Sequence, residues 1–120
     1  MNTQQEIILD YFHRRPNYGK PEHYTHHMRM ENTSCGDAVE IYLTVENGRV
    51  AAAHFTGEGC SIAIAAAAML TEELVGKTVA EVEAITTEDM IKLVGIELTP
   101  TRQKCADLSL EAAKSALAGK

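Results

Sequence analysis

The tightest constraint on the fold is a strand that has to turn back on itself. Val39, Ile41, Leu43 and Val45 alternate with Glu40, Tyr42, Thr44 and Glu46, the period-two pattern of a strand with one buried face. Asn47-Gly48 follows at once, and this dipeptide favours a two-residue type I′ turn because both central positions need positive φ. Arg49 to Thr56 is therefore expected to return as the second arm of a hairpin. With a further strand over Tyr24 to Glu31, the expected sheet is three-stranded and antiparallel.

Helical periods surround this sheet. Residues Thr3 to Arg14 place Ile7, Ile8, Tyr11 and Phe12 at helical spacing, and Pro16, Asn17 and Gly19 stop the pattern. Ser61 to Val75 reads as an alanine-rich helix whose broad apolar face comprises Ile62, Ala65, Ala66, Met69 and Leu70, with Gly76 as its stop. Thr78 to Ile85 and Thr87 to Val94 each begin with threonine followed by acidic residues, which suits short capped helices. Gly95 and Pro100 frame a loop, and from Thr101 onward Leu108, Ala112, Ala113, Ala116 and Leu117 keep helical spacing. A chain of 120 residues is long enough to bury a core without disulfides. The expectation is one α+β domain over residues 1–120, its small sheet packed by helices.

Charge and composition narrow the partners. With 17 acidic against 11 basic residues, the net charge of −6 repels a phosphate backbone, and 5% aromatic residues offer little stacking surface for bases, so nucleic acid is not expected. The longest apolar run, Ile62 to Leu70, falls well short of the roughly 20 residues that span a bilayer, so no membrane segment is expected either. Met1 to Glu6 lacks the basic and apolar segments of a secretory signal. Three cysteines, an odd number, then argue for reduced thiols and a cytoplasmic location.

Each cysteine sits in a setting that suits metal or sulfur chemistry. Cys35 lies in Asn32-Thr33-Ser34-Cys35-Gly36-Asp37, where Gly36 lets the backbone fold back and Asp37 offers an oxygen beside a sulfur. The plainer reading is a buried cysteine in a turn, with Asp37 satisfying backbone donors. Cys60 closes Gly57-Glu58-Gly59-Cys60 at the start of the alanine-rich helix, where unpaired amides and the helix dipole favour a thiolate. Its plainer reading is an apolar residue opening a core helix. Cys105 follows Arg102-Gln103-Lys104, whose cations favour ionisation; alternatively the cations form a solvated face and Cys105 fills the core. Taken together, three soft thiolates and one carboxylate suit zinc or ferrous iron and its sulfides, not magnesium or calcium. His13, His23, His26, His27 and His54 compete for a fourth ligand position, although His26 and His27 would point to opposite faces of a strand. Met28, Met30 and Met69 read as core fillers, and Glu72, Glu73, Glu81 and Glu83 as solvated helix faces.

These segments resemble the iron–sulfur cluster assembly scaffold family: IscU, SufU and the N-terminal domain of NifU. The resemblance runs through Ile8-Leu9-Asp10-Tyr11, Pro16-Asn17-Tyr18-Gly19, Cys35-Gly36-Asp37, Gly57-Glu58-Gly59-Cys60-Ser61-Ile62-Ala63 and Arg102-Gln103-Lys104-Cys105-Ala106. The three cysteines come in the family's order, with 24 and 44 residues between them. It implies a small antiparallel sheet packed by helices. It also implies a scaffold that accepts sulfur from a pyridoxal-phosphate cysteine desulfurase, binds iron, and passes a transient 2Fe–2S cluster to apoproteins. Cys35, Asp37, Cys60 and Cys105 match the cluster and metal ligands. Cys105 matches the persulfide acceptor of scaffold members, and Cys35 that of zinc-dependent members.

Two departures from the pattern bear on the subclass. Lys104 stands where IscU-type members carry a histidine, as in SufU-type members, yet the spacing between the second and third cysteines is the shorter, IscU-like one. Leu98-Thr99-Pro100-Thr101-Arg102 replaces the Leu-Pro-Pro-Val-Lys chaperone segment, which leaves a dedicated Hsp70-type partner doubtful. The alternative to a scaffold is a zinc-dependent, SufU-like sulfurtransferase, with zinc as resting metal. A small interaction domain with a structural zinc is the third reading.

Overall fold

A computed structural model of the chain describes residues 3–33 and 36–119. In order along the chain it contains α1 (Gln4–Arg14), β1 (His26–Asn32), β2 (Asp37–Glu46), β3 (Arg49–Glu58), α2 (Ser61–Leu74), α3 (Val79–Glu83), α4 (Thr87–Val94) and α5 (Pro100–Gly119). This is the expected α+β arrangement, with a three-stranded antiparallel sheet in the order β1-β2-β3.

The hairpin forms where the Asn-Gly pair demands it, with Asn47 at φ 53° and Gly48 at φ 78°. Register then fixes which side chains share the buried face. Ile41 stands between Met28 and Phe55, Leu43 between His26 and Ala53, and Val39 between Met30 and Gly57. Val39, Ile41, Leu43 and Phe55 are fully buried under the helices. Beyond β3, the Pro16-to-Gly19 turn adds a short parallel edge: the Phe55 amide donates to the Asn17 carbonyl at 3.0 Å and the Gly19 amide to the Phe55 carbonyl at 2.8 Å. The first strand begins at His26 rather than Tyr24, whose ring instead packs edge-on against Tyr42 and His27.

Helix boundaries follow their caps. Thr3, Thr78 and Thr86 each accept a hydrogen bond from the backbone three residues on, while Glu6, Glu81 and Asp89 reach back to the cap amide. Thus Thr86, not Thr87, caps α4, and α3 stops at Glu83, short of Ile85. Pro100 takes the first position of α5, where its missing N–H costs nothing.

In α2 the structure departs from the amphipathic expectation. Ile62 to Thr71 and Leu74 are all buried, so the helix has no wet side over its first ten residues. It runs through the middle of the molecule, with α1, α4 and α5 on its flanks and β2 and β3 against it. A helix that is apolar all round belongs in such a place, and the small alanines Ala65 to Ala68 let several neighbours approach it together. Ala66→Leu is accordingly expected to destabilise the chain by about 1–3 kcal/mol, read as a lower urea midpoint at constant slope. An unchanged midpoint would show spare room that this packing does not have. Among the described residues, no helix is long and apolar enough to cross a membrane.

Candidate metal centre

Three chain segments meet at the N-terminal end of α2. Asp37 is the first residue of β2, Cys60 is the N-cap of α2, and Cys105 lies in the second turn of α5. The β2–β3 register pairs Ala38 with Glu58, so the next residues, Asp37 and Gly59-Cys60, come side by side. A carboxylate oxygen of Asp37 and the Sγ atoms of Cys60 and Cys105 all lie within 4.8 Å of one another. Asp37 and Cys105 are 2% and 4% exposed, whereas Cys60 is open to solvent. The group is therefore a buried floor with one sulfur at the surface.

Backbone amides orient it. The Cys60 amide donates to Asp37 Oδ1 at 3.0 Å, and the thiol lies 3.8 Å from Oδ2. On the other side the Ala63 amide donates to Cys60 Sγ at 3.5 Å, the N-cap bond of α2 made by sulfur instead of oxygen. A buried carboxylate is costly unless hydrogen bonds compensate it, and the Cys60 amide supplies one here.

Gly59 makes this approach possible. Its φ is +151°, and an added Cβ would overlap the Asp37 carboxylate, with Cγ only 2.8 Å away. Gly59→Ala is expected to lower stability by about 1–3 kcal/mol through backbone strain alone. Because the clash pushes the carboxylate aside, metal affinity should also fall by about 10–100-fold, as when a group orienting a ligand is removed. Thermal melting and competitive chelation check the two parts; full metal affinity in the variant would contradict the placement of Asp37.

Cys35 lies outside the described residues. Its neighbour Gly36 takes φ +76° and donates its amide to the Asn32 carbonyl at 2.9 Å, so the positive φ suits the glycine. None of the five histidines joins Asp37, Cys60 and Cys105 among the described residues. His13, His23 and His27 are exposed, and His26 and His54 half-buried. His27 turns to Glu40, with Nδ1 3.1 Å from Oε2, and stacks on Tyr42; His26 Nδ1 lies 2.8 Å from the Thr25 hydroxyl. Arg102 and Lys104 are exposed on the first turns of α5, and the intervening Gln103 donates to the Leu98 carbonyl. Cys105 does not mark a loop end, since its helix starts at Pro100, but burial has not removed it from ligand distance.

Sequence reasoning missed the orienting amides of Cys60 and Ala63 and the steric role of Gly59. Only the glycine had a signal, its place directly before a cysteine that opens a helix. Chemically, two thiolates and a carboxylate supply three of the four positions of a tetrahedral zinc or ferrous site, and the exposed sulfur admits an incoming reactant.

Known proteins share both the sequence pattern and the fold. A family model described as the NifU-like N terminal domain matches residues 3–119. The iron–sulfur cluster assembly scaffold protein IscU of Thermotoga maritima is 34% identical over 128 residues, covering 93% of this chain and 90% of its own. The zinc-dependent sulfurtransferase SufU of Bacillus subtilis is 31% identical over 106 residues, covering 74% of this chain and 72% of its own. The crystal structure of FiSufU from Fervidobacterium islandicum superposes with a TM-score of 0.82 at 27% identity, over 93% of this chain and 94% of that one. Matched from residue 3 to residue 119, with relatives above 30% identity along most of its length, the chain belongs to the NifU-like N-terminal domain family.

Proposed function

We propose that the chain is a scaffold on which iron and sulfur are assembled into a labile 2Fe–2S cluster, held by Cys35, Asp37, Cys60 and Cys105 and passed on to apoproteins. The observation that carries this reading is the grouping of Asp37, Cys60 and Cys105 within 4.8 Å, with one sulfur exposed. Soft thiolates suit iron and sulfide, while a single hard carboxylate weakens retention and lets the cargo leave. The names of the IscU relatives point the same way.

Sulfur arrives as the persulfide of a cysteine desulfurase. A scaffold thiolate, Cys105 or Cys35, attacks its terminal sulfur; the S–S bond breaks, the donor thiolate leaves, and the sulfur remains on the scaffold as a new persulfide. That exchange changes no net oxidation state, so conversion to sulfide needs two electrons from a separate reductant. Cys105 is buried beside the exposed Cys60, so delivery to it requires the Cys60 side of the site to open. The cytoplasm, where thiols stay reduced, suits this chemistry.

One observation favours a second reading. Lys104 removes the histidine beside Cys105, and the similarity to the Bacillus subtilis SufU supports a zinc-dependent sulfur carrier built on the same residues. Anaerobic incubation of the full chain with desulfurase, cysteine, a thiol reductant and ferrous iron separates the two, reading persulfide position, metal content and visible absorption together. A coloured cluster on the chain is expected. Persulfide with zinc retained would give the sulfurtransferase reading, and absence of both would remove the scaffold proposal.

A further inference from the structure

A second feature lies at the opposite end of α2 from the metal centre. The last turns of α2, with α3 and α4, enclose a groove of about 570 Å³ floored by Leu70 and Met90 and walled by Ile85 and Leu93. Glu73 and Leu93 also line a hollow of about 260 Å³ between α1 and α2, where Ile7 and Met69 continue the apolar surface. Leu70 and Met90 are fully buried, but Ile85 and Leu93 are only half-buried and keep apolar surface towards solvent.

The rim is acidic. From Glu72 to Glu97 the chain carries seven carboxylates against two lysines, a net of −5 within a total of −6. Hydrogen bonds from their cap residues hold Glu81 and Asp89 below the usual carboxylate range, so both are ionised near neutrality. Lys77 stands near Glu81 and Lys92 near Asp89, which leaves the Glu72–Glu73 side the most negative part of the rim. Ion pairs among the described residues link Arg14 to Asp10, His27 to Glu40 and Arg29 to Glu31, all away from this groove.

An apolar trough with a negative rim complements a helix that carries bulky apolar side chains flanked by lysine or arginine. We propose that this groove docks a basic amphipathic helix of a partner protein. With a rise of about 1.5 Å per residue, the Leu70–Leu74 end of α2 lies roughly 15–20 Å from Cys60. A partner held there leaves the exposed thiol free, so docking and chemistry can proceed together. The proposal does not depend on which metal the cysteines hold.

The test uses the full, isotope-labelled chain and a synthetic helix with leucines on one face and lysines on the other. A peptide of the same pattern with glutamate in place of lysine, and polylysine, serve as comparisons. The leucine–lysine helix is expected to shift the amides of Leu70, Glu73, Ile85 and Leu93 saturably, and added salt should weaken it. Glu73→Lys should reduce its affinity by at least about tenfold, as should Leu93→Ser. Glu73 is exposed, so Glu73→Lys should keep wild-type melting and metal affinity, and it carries the test if Leu93→Ser destabilises the chain. Shifts spread over other acidic surfaces, equal binding of polylysine, tighter binding of the glutamate peptide, or no binding would each overturn the proposal.

Discussion

Asp37→Ala is expected to lengthen the lifetime of an assembled cluster and to slow its release to an apoprotein by at least about tenfold, because it removes the one hard ligand from a soft set. Asp37 is 2% exposed and accepts the Cys60 amide at 3.0 Å, so truncation has a structural cost as well. Leaving that amide without its acceptor costs about 1–3 kcal/mol. Asp37→Asn separates the two effects, since its carbonyl oxygen can still accept from Cys60 while its charge is gone. Stability should largely return in the asparagine variant, while release stays slow. Decay of visible absorption under anaerobic conditions, followed with and without an acceptor, measures both rates. Wild-type release in both variants would remove Asp37 from the proposed role.

Cys60→Ser gives the other large effect, and it should fall on metal binding rather than on folding. Affinity for zinc or ferrous iron is expected to drop by at least about 100-fold, since a thiolate is replaced by a hydroxyl that binds these metals poorly. The apo chain, however, should melt at or above the wild-type temperature. Cys60 is exposed, and serine is a better N-cap than cysteine for the Ala63 amide. Cys105→Ser differs because that residue is buried in α5, where a new hydroxyl costs about 1–3 kcal/mol unless it finds a partner. Melting curves with and without chelator, beside competitive metal titration, distinguish these outcomes. A structural zinc predicts the reverse for Cys60→Ser, an unfolded chain rather than a folded one without metal.

Local chemistry made the sheet legible. The alternation from Val39 to Val45 and the Asn47-Gly48 turn are short-range signals, and the hairpin formed with both turn residues at positive φ. The caps of α1 and α3 were legible for the same reason. What surrounds α2 was not, because periodicity reports how many faces of a helix are apolar only where polar residues interrupt it, and Ile62 to Leu70 has no such interruption. Nor did the Asn17–Gly19 edge beside Phe55 carry a strand signal; its pairing depends on where α1 ends.

At the candidate site the residue types were legible and the distances were not. Cys60 and Cys105 are separated by 44 residues, and only the packing of α5 against α2 and the sheet brings their sulfurs together. Asp37 stood out as the acid beside a cysteine and a glycine. Its link to Cys60 comes from strand register, with Ala38 opposite Glu58. The five histidines were undecidable from spacing, because a histidine becomes a ligand only through where its ring points, and His27 points to Glu40.

The most direct test of the central claim is X-ray absorption at the iron edge of the full chain loaded anaerobically with iron and sulfide. Ligation by Cys35, Asp37, Cys60 and Cys105 predicts a first shell dominated by sulfur with a minor oxygen contribution, and Cys60→Ser should reduce the sulfur share. A shell of oxygen and nitrogen alone, unchanged in Cys60→Ser, would mean that iron sits on surface carboxylates and would contradict the account.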